Sequence, residues 1–597
     1  MKKVFDEIKM LYIQLNYILS KKQKVRSFWL LVMIIIGAFM EMLGVTLIVP
    51  FIQAILSPEI ISQNIMIFKG MDQKRIIIIV GLFLVFIYII KNGYLLFLAY
   101  IKAKFQCNIE KDLCVRMLDS YLKRPYTFHL DTDSGKLISG VSVDTNGVYV
   151  IIMQICTILA EVFSMILIGG FIIISDWEMA VAVFILVGSG LAVVTLGCNN
   201  YLRKLGDKFR IYNEECYQHL TQALAGIKEV KISNKEEYFV NRYEEQIRNK
   251  SKTVIAQNFM TAFPAYFIEG LAVSGILIVL VFKVALGENL ASSIPQLASF
   301  AVAAFRILPS AGKITAAFNN IIFYRKTLGA TYSNIHEVNE YEEKQKRLRE
   351  IHKESYENND GIIEEFKKGL QLEGIFWKYP NAEKEVLKGL DLHINKGDSI
   401  AIIGASGAGK STLTDILLGL FQPQRGTIKI DGVDIMAITS KWRNLIGYVP
   451  QTIFLTNSSL KENVAFGVCK EDIDERKIWK ALEQAQLREF VEKLPDGINT
   501  IVGERGVKFS GGQRQRVAIA RALYNSPEII ILDEATSALD NETEKMVMES
   551  IDALHGKKTM IIIAHRLTTV ANCDFIYEIS EGVAVRKDKK EVLGGRG

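Results

Sequence analysis

Ser399-Ile-Ala-Ile-Ile-Gly404-Ala-Ser-Gly-Ala-Gly409-Lys410-Ser411-Thr412 is the stretch on which the fold turns. Ser399–Ile403 is a short apolar run of the kind found in strands buried on both faces. An apolar helix, Leu413–Leu420, follows the motif. Between them stands G-x-x-x-x-G-K-S in the strand–loop–helix context that gives the pattern its meaning. Gly404, Gly407 and Gly409, spaced by the small Ser406 and Ala408, let backbone N–H groups approach phosphate oxygens. The helix N-terminus at Lys410, Ser411 and Thr412 adds positive potential. The motif predicts that Lys410 contacts the β- and γ-phosphates of a nucleotide and that the Ser411 hydroxyl ligates Mg²⁺. An α/β nucleotide-binding domain over residues 370–597 follows.

Downstream, Glu528-Ile-Ile-Ile-Leu-Asp533-Glu534 reads as a central parallel strand ending in two acids. Asp533 at its carboxyl end belongs beside Ser411 and holds Mg²⁺, through water. Glu534 is placed to polarise the attacking water, a general-base role.

At Phe509-Ser510-Gly511-Gly512-Gln513 the reading becomes specific, because this pentapeptide resembles the signature of the ABC ATPase family. The family's other motifs follow in order. Tyr379, in Phe376-Trp-Lys-Tyr379-Pro380, resembles the aromatic that stacks on adenine. Gln451, in Tyr448-Val-Pro-Gln451, resembles the glutamine that senses Mg²⁺ and the membrane domain. Gly503-Glu-Arg-Gly506 resembles the exporter loop that touches the coupling helices. Ser537-Ala-Leu-Asp540 resembles the dimer-facing loop, and His565, in Ala564-His-Arg566, the switch histidine on the γ-phosphate. The resemblance implies ATP and Mg²⁺ as cofactors. It also implies that Ser510 and Gly512 of one subunit, flanked by Gly511 and Gln513, close over ATP held by Lys410 of another.

Upstream the chain changes character. The 597 residues are 50% hydrophobic with net charge +6, and mean hydropathy is +0.20. Most of the apolar excess lies in residues 1–335, where six runs approach the roughly 20 apolar residues a bilayer requires: 28–56, 76–100, 149–175, 177–198, 262–286 and 292–324. Lys and Arg concentrate before the first run, in 101–148 and in 199–261, which puts these segments and both termini in the cytoplasm. The domain plan is an amphipathic elbow helix at 1–26, six helices with long cytoplasmic extensions over 27–335, and a charged linker at 336–369. The tips of the two long loops are expected near Ser139–Gly147 and Thr221–Lys228, each a short helix meeting the ATPase domain. No concentrated basic face points to nucleic acid. The seven cysteines show neither Cys-x-x-Cys nor His pairing, so structural zinc and a disulfide framework are not expected. Residues 1–23 do not read as a signal peptide.

The fold class is therefore a multidomain membrane protein, an all-α six-helix exporter domain joined to an α/β P-loop ATPase. One P-loop and one signature per chain cannot build a composite site, so a second ATPase domain is required. Both faces keep the usual residues, which favours a homodimer. Ionisable residues inside spans are costly and are functional candidates; here they are Lys91, Arg306, Lys313, Glu41, Glu161 and Glu269. Two readings stand: internal ion pairs that fix the bundle, or Lys91, Arg306 and Lys313 lining a cavity for an anionic, phosphate-bearing substrate. Glu41 followed by Ile48-Val-Pro-Phe51, and Ala304-Phe-Arg306-Ile-Leu-Pro309, resemble the lipid-linked oligosaccharide flippases of bacterial protein N-glycosylation, whose short external helix corresponds to Ile60–Phe68. That resemblance implies flipping of a polyprenyl-pyrophosphate glycan across the bacterial inner membrane. A drug, lipid or peptide exporter with the same motor is the other reading.

Overall fold

The structure is a computed structural model that describes residues 2–46, 73–175, 177–285, 294–357, 366–436, 438–534, 541–564 and 570–594. The chain divides into two units, 1–124 with 131–341, and 125–130 with 342–597.

The first unit is helical: α1 (Lys2–Ile18), α2 (Lys21–Thr46), α3 (Gln73–Leu122), then α4 (Tyr126–Asp131), which falls in the second unit except for Asp131. There follow α5 (Ser134–Ser139), a π-helical turn at Gly140–Asp144, α6 (Thr145–Ser175), α7 (Trp177–Ala225), α8 (Ile227–Ile232), α9 (Glu236–Ala285) and α10 (Ile294–Glu357). Each of the six long helices carries the described part of one of the apolar runs. Among the described residues, three stretches are long and apolar enough to cross a membrane: 21–40, 77–122 and 134–167. The proposed external helix at 60–68 lies outside the described residues.

The first loop tip is not where the small residues suggested. Pro125 ends α3, since it cannot donate a helical hydrogen bond and disfavours helix at the preceding residue. The chain turns there, and Asp133 starts α5 by accepting a hydrogen bond from Gly135 N at 2.7 Å. Residues 139–147 are helical instead. Their glycines permit close packing, because a Cβ on Gly140 or Gly147 would fall 2.0 Å from Tyr121 Oη or Thr327 Oγ1. The second tip is at Gly226, followed by α8. α10 continues to Glu357, so helix fills much of the segment expected to be linker.

In the second unit a six-stranded sheet has the order β10-β9-β3-β8-β7-β6. Its strands are β3 (Ser399–Ile403), β6 (Ile446–Val449), β7 (Ile529–Asp533), β8 (Thr559–Ile563), β9 (Phe575–Ser580) and β10 (Val583–Lys587). All but β10 pair in parallel. A four-stranded antiparallel sheet is ordered β2-β1-β4-β5, from β1 (Gly369–Trp377), β2 (Leu387–Asn395), β4 (Arg425–Ile430) and β5 (Val433–Asp434). The central strands are apolar throughout because each face meets a different core. Ile400, Ile402, Ile529, Ile531, Ile561 and Ile563 pack on one side. Ala401, Ile530, Leu532, Met560 and Ile562 pack on the other, as a two-residue period requires. Parallel register carries the ends of β3 and β7 to the same edge of the sheet.

Candidate nucleotide site

That edge holds the P-loop. α11 (Lys410–Leu417) starts directly after it, with Gly409 at φ +107° as its N-cap. Gly404 has φ +149°, and a Cβ there would lie 2.5 Å from the Ile579 carbonyl oxygen. Gly407 has φ +82°. These positions need glycine on conformational grounds as well as for access. Ser406, Gly407 and Ser411 are exposed, whereas Lys410 is only 6% exposed. The Lys410 ammonium donates to the carbonyls of Gly404 at 2.8 Å and Ala405 at 3.0 Å, curled over the loop. Burial pulls its pKa down, and the Glu534 and Asp533 carboxylates oppose that fall.

The two acids are held differently. Tyr448, on β6, donates to Asp533 Oδ2 at 3.4 Å, while burial, then the Asp533 charge, pushes its phenol pKa up. Glu534 sits just beyond β7 with φ +45°, a left-handed conformation uncommon for a non-glycine residue and frequent at functional sites. Its N–H donates to the Ile563 carbonyl at 3.1 Å. Its Oε2 accepts from Gln451 Nε2 at 2.5 Å. Gln451 and Glu534, 83 positions apart, are thus brought together.

Tyr379 is half-buried and its hydroxyl lies 3.3 Å from Thr412 Oγ1, on the P-loop helix. Ser510 caps α12 (Gly511–Leu523) in a reciprocal box: Gln513 N donates to Ser510 Oγ at 3.3 Å, and Ser510 N to Gln513 Oε1 at 2.9 Å. Gly511 and Gly512 form the first turn. Among the described residues, no hydrogen bond joins this cap to the P-loop. Asp540 and His565 lie outside the described residues.

Residues 387–537 match the family described as ABC transporter, and residues 27–307 match ABC transporter transmembrane region. An ATP-dependent lipid A-core flippase of Cupriavidus pinatubonensis is 30% identical over 492 residues, 81% of this chain and 80% of that protein. The chain belongs to the ABC transporters, as an exporter half-transporter. ABC transporter B family member 21 of Arabidopsis thaliana is 41% identical over 234 residues, which are 39% of this exporter and 18% of that protein. The fold matches that of a bacterial Atm1-family ABC exporter with ATP bound, at TM-score 0.73 and 21% identity over 97% of this chain and 96% of that one. The exporter hydrolyses ATP and couples hydrolysis to translocation.

Of the basic residues singled out in the spans, Lys91 on α3 is half-buried with its ammonium 4.6 Å from the Tyr88 ring centroid. Lys313 on α10 is instead tied to Glu161 of α6 at 2.7 Å. The ion pair joins two helices, while the Lys313 side chain stays half-exposed. Arg306 lies on α10. Sequence reasoning missed Tyr448, whose place beside Asp533 comes from sheet register: Tyr448 faces Ile531 across the β6–β7 pair. It also missed the aromatic neighbours of Tyr379.

Proposed function

We propose that two copies of this exporter flip a lipid-linked glycan across the bacterial inner membrane, the glycan carried on a polyprenyl pyrophosphate. The observation that carries the cargo class is the likeness, over four-fifths of both chains, to a protein named as a flippase of lipid A-core. Lys91 supports an anionic linkage: it has no ion pair among the described residues. The same helix carries an open apolar face with Gly81, Leu84, Val85, Tyr88, Ile89 and Asn92. That face suits contact with hydrocarbon chains. Lys313, paired with Glu161, is assigned to the bundle in this reading.

In the motor, Lys410 and the P-loop N–H groups hold the ATP phosphates, and Tyr379 stacks on adenine. The Ser411 hydroxyl, Asp533 carboxylate and Gln451 amide are hard oxygen donors that suit Mg²⁺, which when bound offsets charge on the β- and γ-phosphates. Glu534 takes the proton of the attacking water, and the Gln451 amide orients its carboxylate. His565 and Asp540, outside the described residues, take their γ-phosphate and dimer-facing roles from the resemblance alone. Ser510 and Gly512 of the second copy close the site.

The test uses proteoliposomes containing the exporter and a lipid-linked oligosaccharide. Lys91→Ala with Arg306→Ala should cut flipping at least tenfold while basal ATPase activity stays within about twofold. Flipping at the normal rate by this double variant would refute the cavity reading.

A further inference from the structure

Tyr126 heads α4, the short helix after Pro125, and it is grouped with the ATPase unit. Its ring lies 5.8 Å from that of Phe421, tilted by 37°. Phe421 stacks on Trp377 at 4.4 Å and 15°. Trp377 meets Tyr379 edge-on at 4.4 Å and 80°, and Phe421 meets Tyr379 at 6.0 Å and 83°. Phe421 and Trp377 are each 3% exposed, so neither can turn away without opening the core, while Tyr126 is 39% exposed. Phe421 follows the P-loop helix and its N–H donates to Asp415 O at 3.2 Å, which fixes it to that helix. The Tyr379 ring is therefore held on edge by two buried rings and at its hydroxyl by Thr412.

We propose that Tyr126 is a positioning residue for adenine, acting through the column Tyr126–Phe421–Trp377–Tyr379, so that base stacking and seating of α4 stabilise each other. The proposal rests on the reading of Tyr379 as the adenine platform. Aromatic pairs of this geometry contribute beyond their buried area. Linkage between two binding events is reciprocal, so whatever the base gains from a seated Tyr126, Tyr126 gains from a bound base. α3, which carries Lys91, ends three residues before Pro125. The contribution is to purine binding and not to phosphate chemistry, because the rings touch neither Lys410 nor Glu534 among the described contacts.

The experiment is steady-state ATPase and UTPase kinetics of the full-length protein in nanodiscs, for wild type, Tyr126→Ala, Tyr126→Phe and Tyr379→Ala. Tyr126→Ala should raise KM for ATP about three- to tenfold, leave KM for UTP nearly unchanged and keep kcat within about twofold. Tyr126→Phe, which keeps the ring, should restore KM. Equal rises for ATP and UTP, or no rise, in Tyr126→Ala overturn the proposal. If Tyr379→Ala shifts the ATP-to-UTP ratio of KM while Tyr126→Ala does not, the column fails and the platform stands. If Tyr379→Ala leaves that ratio unchanged, the platform reading itself fails and the column falls with it.

Discussion

In the proposed motor the chemistry centres on Glu534. Its left-handed backbone costs of order 1–3 kcal/mol for a residue with a Cβ, and the Ile563 carbonyl and the Gln451 amide hold it in place. Strain kept at one carboxylate, next to an acid bound by Tyr448, fits a group whose exact position matters. Glu534→Gln should keep ATP binding and lose turnover by about 10²- to 10⁴-fold, read as nucleotide trapped on the protein with phosphate release near background. Turnover within tenfold of wild type would take the general-base role from Glu534. Much at this scale was legible in the sequence, because glycine spacing, Lys410 and the paired acids are local patterns. Phe421 and Tyr448 were not, since each owes its place to a neighbour far along the chain: Tyr448 to β7 across a parallel register, Phe421 to Trp377 at the end of β1.

Among the elements, the region around the π-helical turn shows why one motif was misread. Glycine and small polar residues signal a turn in a strand-and-loop context, but in long packed helices they mark close approach. Gly206 repeats the lesson, since a Cβ there would lie 2.1 Å from the Phe323 carbonyl oxygen. The turn also carries Asp144, fully buried, which Arg210 of α7 clamps through Nε at 3.1 Å and Nη2 at 3.1 Å. Arg210 reaches Glu214 as well, at 2.8 Å. Nearby, Asn213 Nδ2 donates to Ser139 Oγ at 3.0 Å. Such a clamp locks α7 to the root of α6, and no sequence pattern announces it because its members stand 66 residues apart. Removing one member strands the other charge. Arg210→Ala should cost about 3–5 kcal/mol, visible as a clear fall in the thermal unfolding temperature of the purified protein. Asp144→Leu combined with Arg210→Met should recover most of the loss, since a matched apolar pair avoids the desolvation penalty. An unchanged unfolding temperature in Arg210→Ala would show that the clamp contributes little.

On the scale of the whole molecule, one chain supplies one P-loop face and one signature face. The number and placement of long helices, the P-loop domain and its strand–loop–helix logic were all readable from apolar periodicity and motif order. The membership of residues 125–130 in the ATPase unit was not, because it rests on contacts between residues far apart in the chain, Tyr126 and Phe421 among them. In the proposed cycle ATP is hydrolysed only between two copies, by Lys410 and Glu534 of one and Ser510 of the other. The most direct measurement joins two inactive variants, Lys410→Ala and Ser510→Arg, in one preparation isolated through a different tag on each chain. In a mixed dimer one site carries both changes and the other carries none. Each variant alone should show negligible ATPase activity, and the mixed dimer should recover towards about half the wild-type rate, from one intact site in two. A mixed dimer as inactive as its parents, or either variant active by itself, would contradict this cycle.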